Sequence, residues 1–394
     1  MIYRPFGKLD WKTSALGFGC MRLPTLDGKP QSPNIDRDQT IRMIRLAVDR
    51  GVNYVDTAYP YHGGQSEVVT GLALRDGYRD RVKLATKAPV WQIEKPSDFD
   101  RYLNEQLGRL GTDRVDFYLL HALGTARWRN IVLKHGLLER AEAAVKDGRV
   151  GHIGFSFHDS FDAFREVLEG YDGWEMCQIQ YNYMDTENQA GTRGLELAAS
   201  KGLAVVVMEP LLGGRLAAPP EAVADILRAA GSGRRPAEWA LDWVWNDPRV
   251  ANLLSGMSSL RQVEENLASA ERSRTGALTE AELEAVGRAR TAFAERTPIP
   301  CTRCGYCLPC PNGVDIPTNF RLLNECVVYD DPAIPRATYA RFVPEAERAS
   351  ACTGCRECEA KCPQDILISE CMPEVDAVLG GRKSHKGFKA PVSS

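Results

Sequence analysis

Four side chains that could move or steer a proton stand at comparable places in this chain. Asp56 ends the short apolar run Val52–Val55, and Tyr61 follows five residues later on a turn marked by Pro60, Gly63 and Gly64. Lys87 closes the run Val82–Thr86, and His121 closes the run Val115–Leu120. A tyrosine with a pKa near 10 is a poor proton donor at neutral pH unless a cation brings that value down. A lysine held by a carboxylate supplies such a cation, and a histidine can orient and polarise a substrate oxygen. Hydride arriving at a carbonyl carbon leaves charge developing on oxygen, which a positioned acid must meet. Taken singly, Asp56 and Lys87 read equally well as a salt bridge and Tyr61 as a loop aromatic. Ordered at the ends of successive strands, they read as a set.

The cysteines offer a second chemistry. Of twelve, only Cys20 and Cys177 precede residue 301, and ten lie between Cys301 and Cys371. Dense cysteine at short regular spacing points to metal or redox cofactors rather than disulfides in a cytosolic chain. Cys301, Cys304, Cys307 and Cys310 are each separated by two residues. Cys352, Cys355, Cys358 and Cys362, followed by Pro363, form C-x2-C-x2-C-x3-C-P. The second set has the spacing of 4Fe–4S ligation; the first departs from it by one residue before its last cysteine. Structural zinc also accepts four thiolates, but its sites usually present two CxxC pairs. Similarity to two-cluster ferredoxins implies that the fourth cysteine crosses over. That groups Cys301, Cys304 and Cys307 with Cys362, and Cys352, Cys355 and Cys358 with Cys310. Cys20, Cys177, Cys326 and Cys371 read as packed thiols.

The elements that must carry these residues alternate. Residues 2–13, with Gly7 at the centre, suggest a hairpin. Strands are then predicted at 15–19, 52–56, 82–86, 115–120, 152–156, 177–180, 204–208 and 250–254. Each is followed by a helical pattern, for example Phe99, Leu103, Leu107 and Leu110 within 97–110. A longer excursion covers 219–235, with a helix at 236–245 after it. Eight short apolar strands interleaved with helices predict an α/β fold, a (β/α)8 TIM-type barrel. A doubly wound sheet would put G-x-G-x-x-G after the first strand, and none is there. A barrel places chemistry at the C-terminal ends of its strands, where Asp56, Lys87, His121, Ser156, Gln178, Glu209 and Gly256 fall.

Composition agrees. The chain has 394 residues, 44% hydrophobic and 26% charged, with a formal net charge of −3. That is ordinary for a soluble protein with a large core, and gives no bulk attraction to nucleic acid or to an anionic membrane. No run of 18 apolar residues and no signal-peptide pattern is present, so the expected location is cytoplasmic. The break near 297–300 suggests a barrel domain over 1–296 and a small, mostly helical ferredoxin-like iron–sulfur domain over 297–379. Helices are expected at 317–329 and 337–351, and a disordered basic tail over 380–394.

The residues now assembled resemble the aldo-keto reductase superfamily, in its iron–sulfur branch. The resemblance rests on Asp56-Thr57-Ala58, Tyr61, Thr86-Lys87 and Leu119-Leu120-His121. Further matching pieces are Gly17-Phe18-Gly19, Ile153-Gly154-Phe155-Ser156, Gln178, Pro210-Leu211 and Gln262 to Asn266. It implies a catalytic set of Tyr61, Lys87, Asp56 and His121, with NADP(H) or NAD(H) lying across the strand ends. The implied nucleotide contacts are Gly19, Cys20, Met21, Ser156, Gln178, Met208, Glu209, Pro210, Leu211, Gly256, Ser258, Gln262, Glu265 and Asn266. Three departures stand out. Phe157 replaces the asparagine that commonly follows the serine, and Met208-Glu209 stands where an aromatic usually stacks on the nicotinamide. After the last strand, Arg261 is the one nearby cation, and Ser259 with Gln262 has the spacing of a capping box.

The expected function is thus NAD(P)H-dependent interconversion of a carbonyl and an alcohol on a small molecule, with two 4Fe–4S clusters for electron transfer or stabilisation. The alternative is an iron–sulfur electron-transfer protein whose remodelled barrel works with a flavin or a redox partner protein. A hydride carries two electrons and a 4Fe–4S cluster takes one, which is why a flavin enters that alternative. The loop stretches 122–133 and 212–235 carry no readable substrate code.

Overall fold

A computed structural model describes residues 1–301, 303 and 305–391. Cys304, expected to bind a cluster, lies outside the described residues. The chain divides into two compact units, Met1–Gly214 with Ala237–Thr279, and Arg215–Pro236 with Glu280–Ser394. By contacts the second unit therefore begins earlier than the composition break near 297.

In the first unit, β1 (Tyr3–Phe6) and β2 (Leu9–Ser14) form the antiparallel hairpin. Eight parallel strands then close a barrel: β3 (Leu16–Gly19), β4 (Tyr54–Asp56), β5 (Lys83–Ala88), β6 (Val115–Leu123), β7 (Val150–Phe157), β8 (Met176–Gln180), β9 (Ala204–Met208) and β10 (Val250–Ser255), with β10 paired to β3. The strands are buried on both faces, as their continuous apolar runs require. Helices cover the outside with one apolar stripe each. Ser97–Leu110 buries Phe99, Leu103, Leu107 and Leu110, each side chain worth about 1.5–3 kcal/mol of transfer free energy. Starts are capped by side chains: Asp36 accepts from Gln39 N–H, Ser160 from Ala163 N–H, and Ser259, the one cap read from the sequence, from Gln262 N–H.

The two ends of the barrel differ in chemistry. Phe6 from the hairpin packs with Trp11, Tyr54 and Phe117, ring centroids 5.0–6.5 Å apart, and plugs the end where the strands begin. The opposite, C-terminal end is polar, and the catalytic candidates are there.

The second unit is mainly helical: Glu221–Ala229, Glu280–Glu295, Ile316–Val328, Ala333–Phe342 and Ile368–Leu379. Its own core includes Ile299, Phe320, Leu323, Cys326, Cys371, Met372 and Val375. Three of these helices were not expected from sequence, the first lying inside the supposed 219–235 excursion. The helix expected over 337–351 starts at Ala333 and stops at Phe342, because Val343 and Pro344 turn extended and only short 3-10 turns follow. The tail expected to be disordered from 380 instead packs as far as the described residues go. His385 lies 2.6 Å from Asp330, Arg336 donates to the Lys383 carbonyl at 2.8 Å, and Phe388 joins the core. Among the described residues no helix is long and apolar enough to cross a membrane.

Candidate active site

Each catalytic candidate is placed by a strand end. Asp56 is the last residue of β4, and its side chain points to Lys87 near the end of the adjacent β5. Lys87 Nζ donates to Asp56 Oδ1 at 2.5 Å and to the Thr57 carbonyl at 2.8 Å, and lies 3.4 Å from the Tyr61 hydroxyl. Gln178 Nε2 on β8 donates to the other Asp56 oxygen at 3.3 Å. Tyr61 rests edge-on to His121, ring centroids 5.9 Å apart. His121 is aimed inward by an irregularity in β6: the register shifts between Leu120 and Leu123, and Ala122 takes φ +54°. The sequence-predicted set Asp56, Tyr61, Lys87 and His121 is brought together.

Burial governs the electrostatics. It works against charge on Lys87, but Asp56 and the Tyr61 oxygen outweigh it and the ammonium ends raised. Burial also raises Asp56, against the pull of Lys87 and Gln178. The tyrosine differs from expectation. Desolvation exceeds the pull of Lys87, so Tyr61 is raised above 10 rather than lowered. His121 is pushed well below its usual value by desolvation, then by Lys87, His158 and Arg127, and is a neutral imidazole. Among the described residues its Nδ1 is buried without a hydrogen-bond partner.

A buried network stands behind Lys87. Gln106 Nε2 donates to the Lys87 carbonyl at 3.1 Å, to Thr86 Oγ1 at 3.0 Å and to Glu67 Oε1 at 2.6 Å, while Tyr118 OH donates to Gln106 Oε1 at 2.7 Å. Glu67 also meets Arg109 at 3.3 Å. The loop after Tyr61 is fixed by His62, whose Nδ1 bonds the Ser32 carbonyl at 2.7 Å and whose Nε2 accepts from Leu23 N–H at 3.2 Å. Neither network was visible in the sequence, since its members come from separate stretches of the chain with no short motif.

The nucleotide candidates ring the same end. Gly19 ends β3, and Cys20 and Met21 form the turn after it. The Cys20 thiol is pushed up to about 12 by burial, which suits a packed thiol. Ser156 Oγ accepts from Ala122 N–H at 2.7 Å, leaving its hydroxyl proton to donate. Met208 ends β9; Glu209 follows at φ +54°, exposed, with Pro210 buried and Leu211 against the core. Gly256 follows β10, where a Cβ would come 3.1 Å from Arg22 Cδ. Gln262 N–H donates to Ser259 Oγ at 3.3 Å, one half of the expected capping box, but Gln262 Oε1 accepts from Ser258 N–H at 2.8 Å and from its hydroxyl at 3.1 Å rather than from Ser259 N–H. Asn266 donates to Ser255 Oγ at 2.9 Å, and Glu265 lies 3.9 Å from Arg261. A nicotinamide dinucleotide fits this rim. The Ser156 hydroxyl has a proton to donate to an amide carbonyl, and Gly256 beside Arg22 leaves room for a phosphate.

Sequence reasoning missed Trp91 and Arg127. Trp91 stands 5.2 Å from the His121 ring, and Arg127 Cζ lies 5.3 Å from the centre of the Trp91 ring. Arg127 lies in the 122–133 stretch that carries no readable code.

In the second unit, Cys301, Cys307 and Cys362 line one cavity with Ile316, Phe320, Ile366 and Ile368. The Cys358 thiol is pushed up first by burial, with Cys310 and Cys352 near enough to add to it, and Asn312 Nδ2 lies 3.8 Å from Cys355 Sγ. Among the described residues no three His, Cys, Asp or Glu converge tightly enough for a single ion. A cubane takes its ligands at four separate iron corners, so wider-set thiolates with apolar walls suit it.

The comparisons follow the same division. The Aldo/keto reductase family model matches residues 15–286, and a 4Fe-4S dicluster domain model matches residues 300–367. The chain is 28% identical over 322 residues to aflatoxin B1 aldehyde reductase member 2 of Rattus norvegicus, covering 67% of this chain and 83% of that one. It is 26% identical over 319 residues to the NADH-specific methylglyoxal reductase of Escherichia coli, covering 67% and 92%. Among solved structures, the holo form of an aldo-keto reductase from Bacillus halodurans matches with TM-score 0.60 and 26% identity over 73% of this chain and 96% of that one. One from Klebsiella pneumoniae in complex with NADPH matches with TM-score 0.59 and 26% identity over 73% and 95%.

Proposed function

Because this chain belongs to the aldo/keto reductase family, we propose that its barrel site interconverts a carbonyl and an alcohol on a small molecule, with Tyr61 as the proton donor. The observation that carries this reading is the buried line Asp56–Lys87–Tyr61 ending beside an unpartnered His121 nitrogen. A bound nicotinamide supplies the hydride. The rim residues Ser156, Gln178 and Gly256 would hold it, and relatives named for NADH and solved with NADPH support either nucleotide.

The chain's own part is proton control. Tyr61, raised by burial, keeps its proton through neutral pH and yields it only to an oxygen that becomes strongly basic as reduction proceeds. Lys87 lies close enough to stabilise the phenolate left behind, and Asp56 keeps Lys87 charged in a site without water to do so. His121, neutral, offers a neutral hydrogen bond to the substrate oxygen and orients it.

In the second unit, Cys301, Cys304, Cys307 and Cys362 would hold one 4Fe–4S cluster, and Cys310, Cys352, Cys355 and Cys358 another. The shared cavity and the Cys310–Cys352–Cys358 proximity support this crossed grouping. Such clusters supply one-electron transfer, or simply stabilise the fold that grips them.

Tyr61→Phe tests the barrel reading. Carbonyl turnover with NADH or NADPH should fall by about 10²–10⁴-fold with the circular dichroism unchanged; turnover within tenfold of wild type would reject the assignment. Anaerobic EPR with either nucleotide, against dithionite, tests whether the clusters take part. Signals raised by nucleotide would mean that barrel and clusters exchange electrons and that a flavin should be sought.

A further inference from the structure

Arg127 is the desolvated cation of the barrel site that nothing in the proposed chemistry uses. It sits in the helical turn Thr125–Arg127, half-buried, and one of its nitrogens donates to the Ala122 carbonyl. Its guanidinium lies over Trp91, which lies against His121, which lies against Tyr61. Among the described residues it meets no carboxylate. Among other partly buried arginines of the barrel, Arg109 meets Glu67 and Glu105, Arg149 meets Asp100 and Asp147, and Arg249 meets Glu196 and Asp247, while Arg4 is held by the Trp245, Asp247 and Val250 carbonyls; Arg127 has one carbonyl and no carboxylate.

The charges around it do not balance either. Asp56 is engaged by Lys87 and Gln178, and Asp159 accepts from the Thr125 and Ser160 N–H groups. His158, exposed at the rim of β7 yet ringed by protein, is lowered first by desolvation, with Arg127 and Lys87 also acting against its protonation. Arg127 itself is lowered by desolvation with nothing opposing it. A guanidinium with donors to spare, partly dehydrated and without a counter-charge, is costly unless a ligand completes it.

We propose that Arg127 receives an anionic group of the substrate, a carboxylate, so that the site takes carbonyl compounds that are also acids. This rests on the barrel reading above for the position of the carbonyl. The planar fork of arginine matches a carboxylate in two-point contact. Trp91, 38% exposed and lying between Arg127 and His121, gives the body of such a substrate an apolar face. Carbonyl and carboxylate would then be held about one aromatic ring apart. The competing role for Arg127 is a staple that ties its turn to Ala122; that role uses one of five donors and accounts for neither the missing counter-charge nor the stacking on Trp91.

The test is calorimetric titration of the full chain, clusters intact, with 4-formylbenzoate and with its methyl ester. These share a carbonyl and differ by one charge. The wild type should bind the acid at least about tenfold more tightly, as expected of a charge-assisted contact. In Arg127→Gln, which can still bond Ala122, the acid-to-ester ratio should fall towards one, and Arg127→Lys should retain part of it. In turnover the same loss should appear in KM rather than kcat. Equal binding of acid and ester by the wild type, or a ratio that survives Arg127→Gln, would overturn the proposal. A charge preference lost in Arg127→Gln with neither compound turned over would uphold the anion site and reject the reductase reading instead.

Discussion

Lys87 Nζ lies 2.5 Å from Asp56 Oδ1 in a place where neither side chain reaches water, the lysine 0% and the aspartate 4% exposed. Burying two charges costs several kcal/mol of desolvation per ion, and a well-packed apolar pair would often be as stable. The pair is satisfied on its remaining sides by the Thr57 carbonyl and the Gln178 amide. It is therefore better explained by what it does to Tyr61 than by what it adds to stability.

Breaking the pair on one side should be severe. Lys87→Met leaves the Asp56 carboxylate buried without a counter-charge, and unfolding in urea should show a loss of about 3–5 kcal/mol. Lys87→Met combined with Asp56→Leu should recover part of that loss, because no charge is then stranded. A single variant within about 1 kcal/mol of wild type would show that water reaches this site in solution.

Helix packing next to the Tyr61 loop leaves no room at Gly71. A Cβ there would come 2.3 Å from the Leu110 carbonyl oxygen, a backbone atom that cannot turn aside. Gly71→Ala should force helix Gln65–Ala73 off helix Ser97–Leu110 and cost about 1–3 kcal/mol, although alanine is the better helix former. Equal or higher stability of the variant would refute the close approach.

Acid should weaken the barrel before its carboxylates titrate. His62 and His121 are both held below the usual 6.5 by burial first, so the folded chain binds fewer protons than the unfolded chain beneath that pH. Their contribution is fully present above about pH 6.5 and is lost as pH falls from there through the folded values, at up to about 1.4 kcal/mol per pH unit per histidine. All seven tryptophans lie in the barrel unit, so tryptophan fluorescence during denaturation reads this unit apart from the cluster chromophore. A midpoint unchanged between pH 7.5 and 5.5 would contradict the buried neutral imidazoles.

EPR can separate the two ways of pairing the cysteines. With crossed ligation, Cys362→Ser should remove the same EPR signal as Cys301→Ser or Cys307→Ser, and Cys310→Ser the same one as Cys352→Ser. Each variant should keep about half the iron, as expected when one of two clusters is lost. If Cys362→Ser instead matches Cys352→Ser, each motif closes on its own cluster.

Much of this was legible along the chain because barrel strands are short, buried on both faces and spaced by helices. Asp56, Lys87 and His121 could be placed at strand ends from apolar run lengths, and the paired cysteine motifs from spacing alone. Boundaries were less secure: β6 runs on to Leu123 through an irregular register, and helices Glu221–Ala229, Glu280–Glu295 and Ile368–Leu379 were not foreseen. The last contains Pro373, a residue that argues locally against a helix.

The sequence by itself determined which chemistries are present, since a residue type and its distance along a strand are local facts. Tertiary structure alone decided how they are tuned and completed. Whether Lys87 or burial wins at Tyr61 depends on how much protein surrounds the hydroxyl, and burial wins. That Cys362 shares a cavity with Cys301 and Cys307, and that Arg127 lies over Trp91 and bonds the Ala122 carbonyl, depends on chain segments meeting in space. Electrostatic and packing energies follow distances through space, and sequence separation carries no information about those distances.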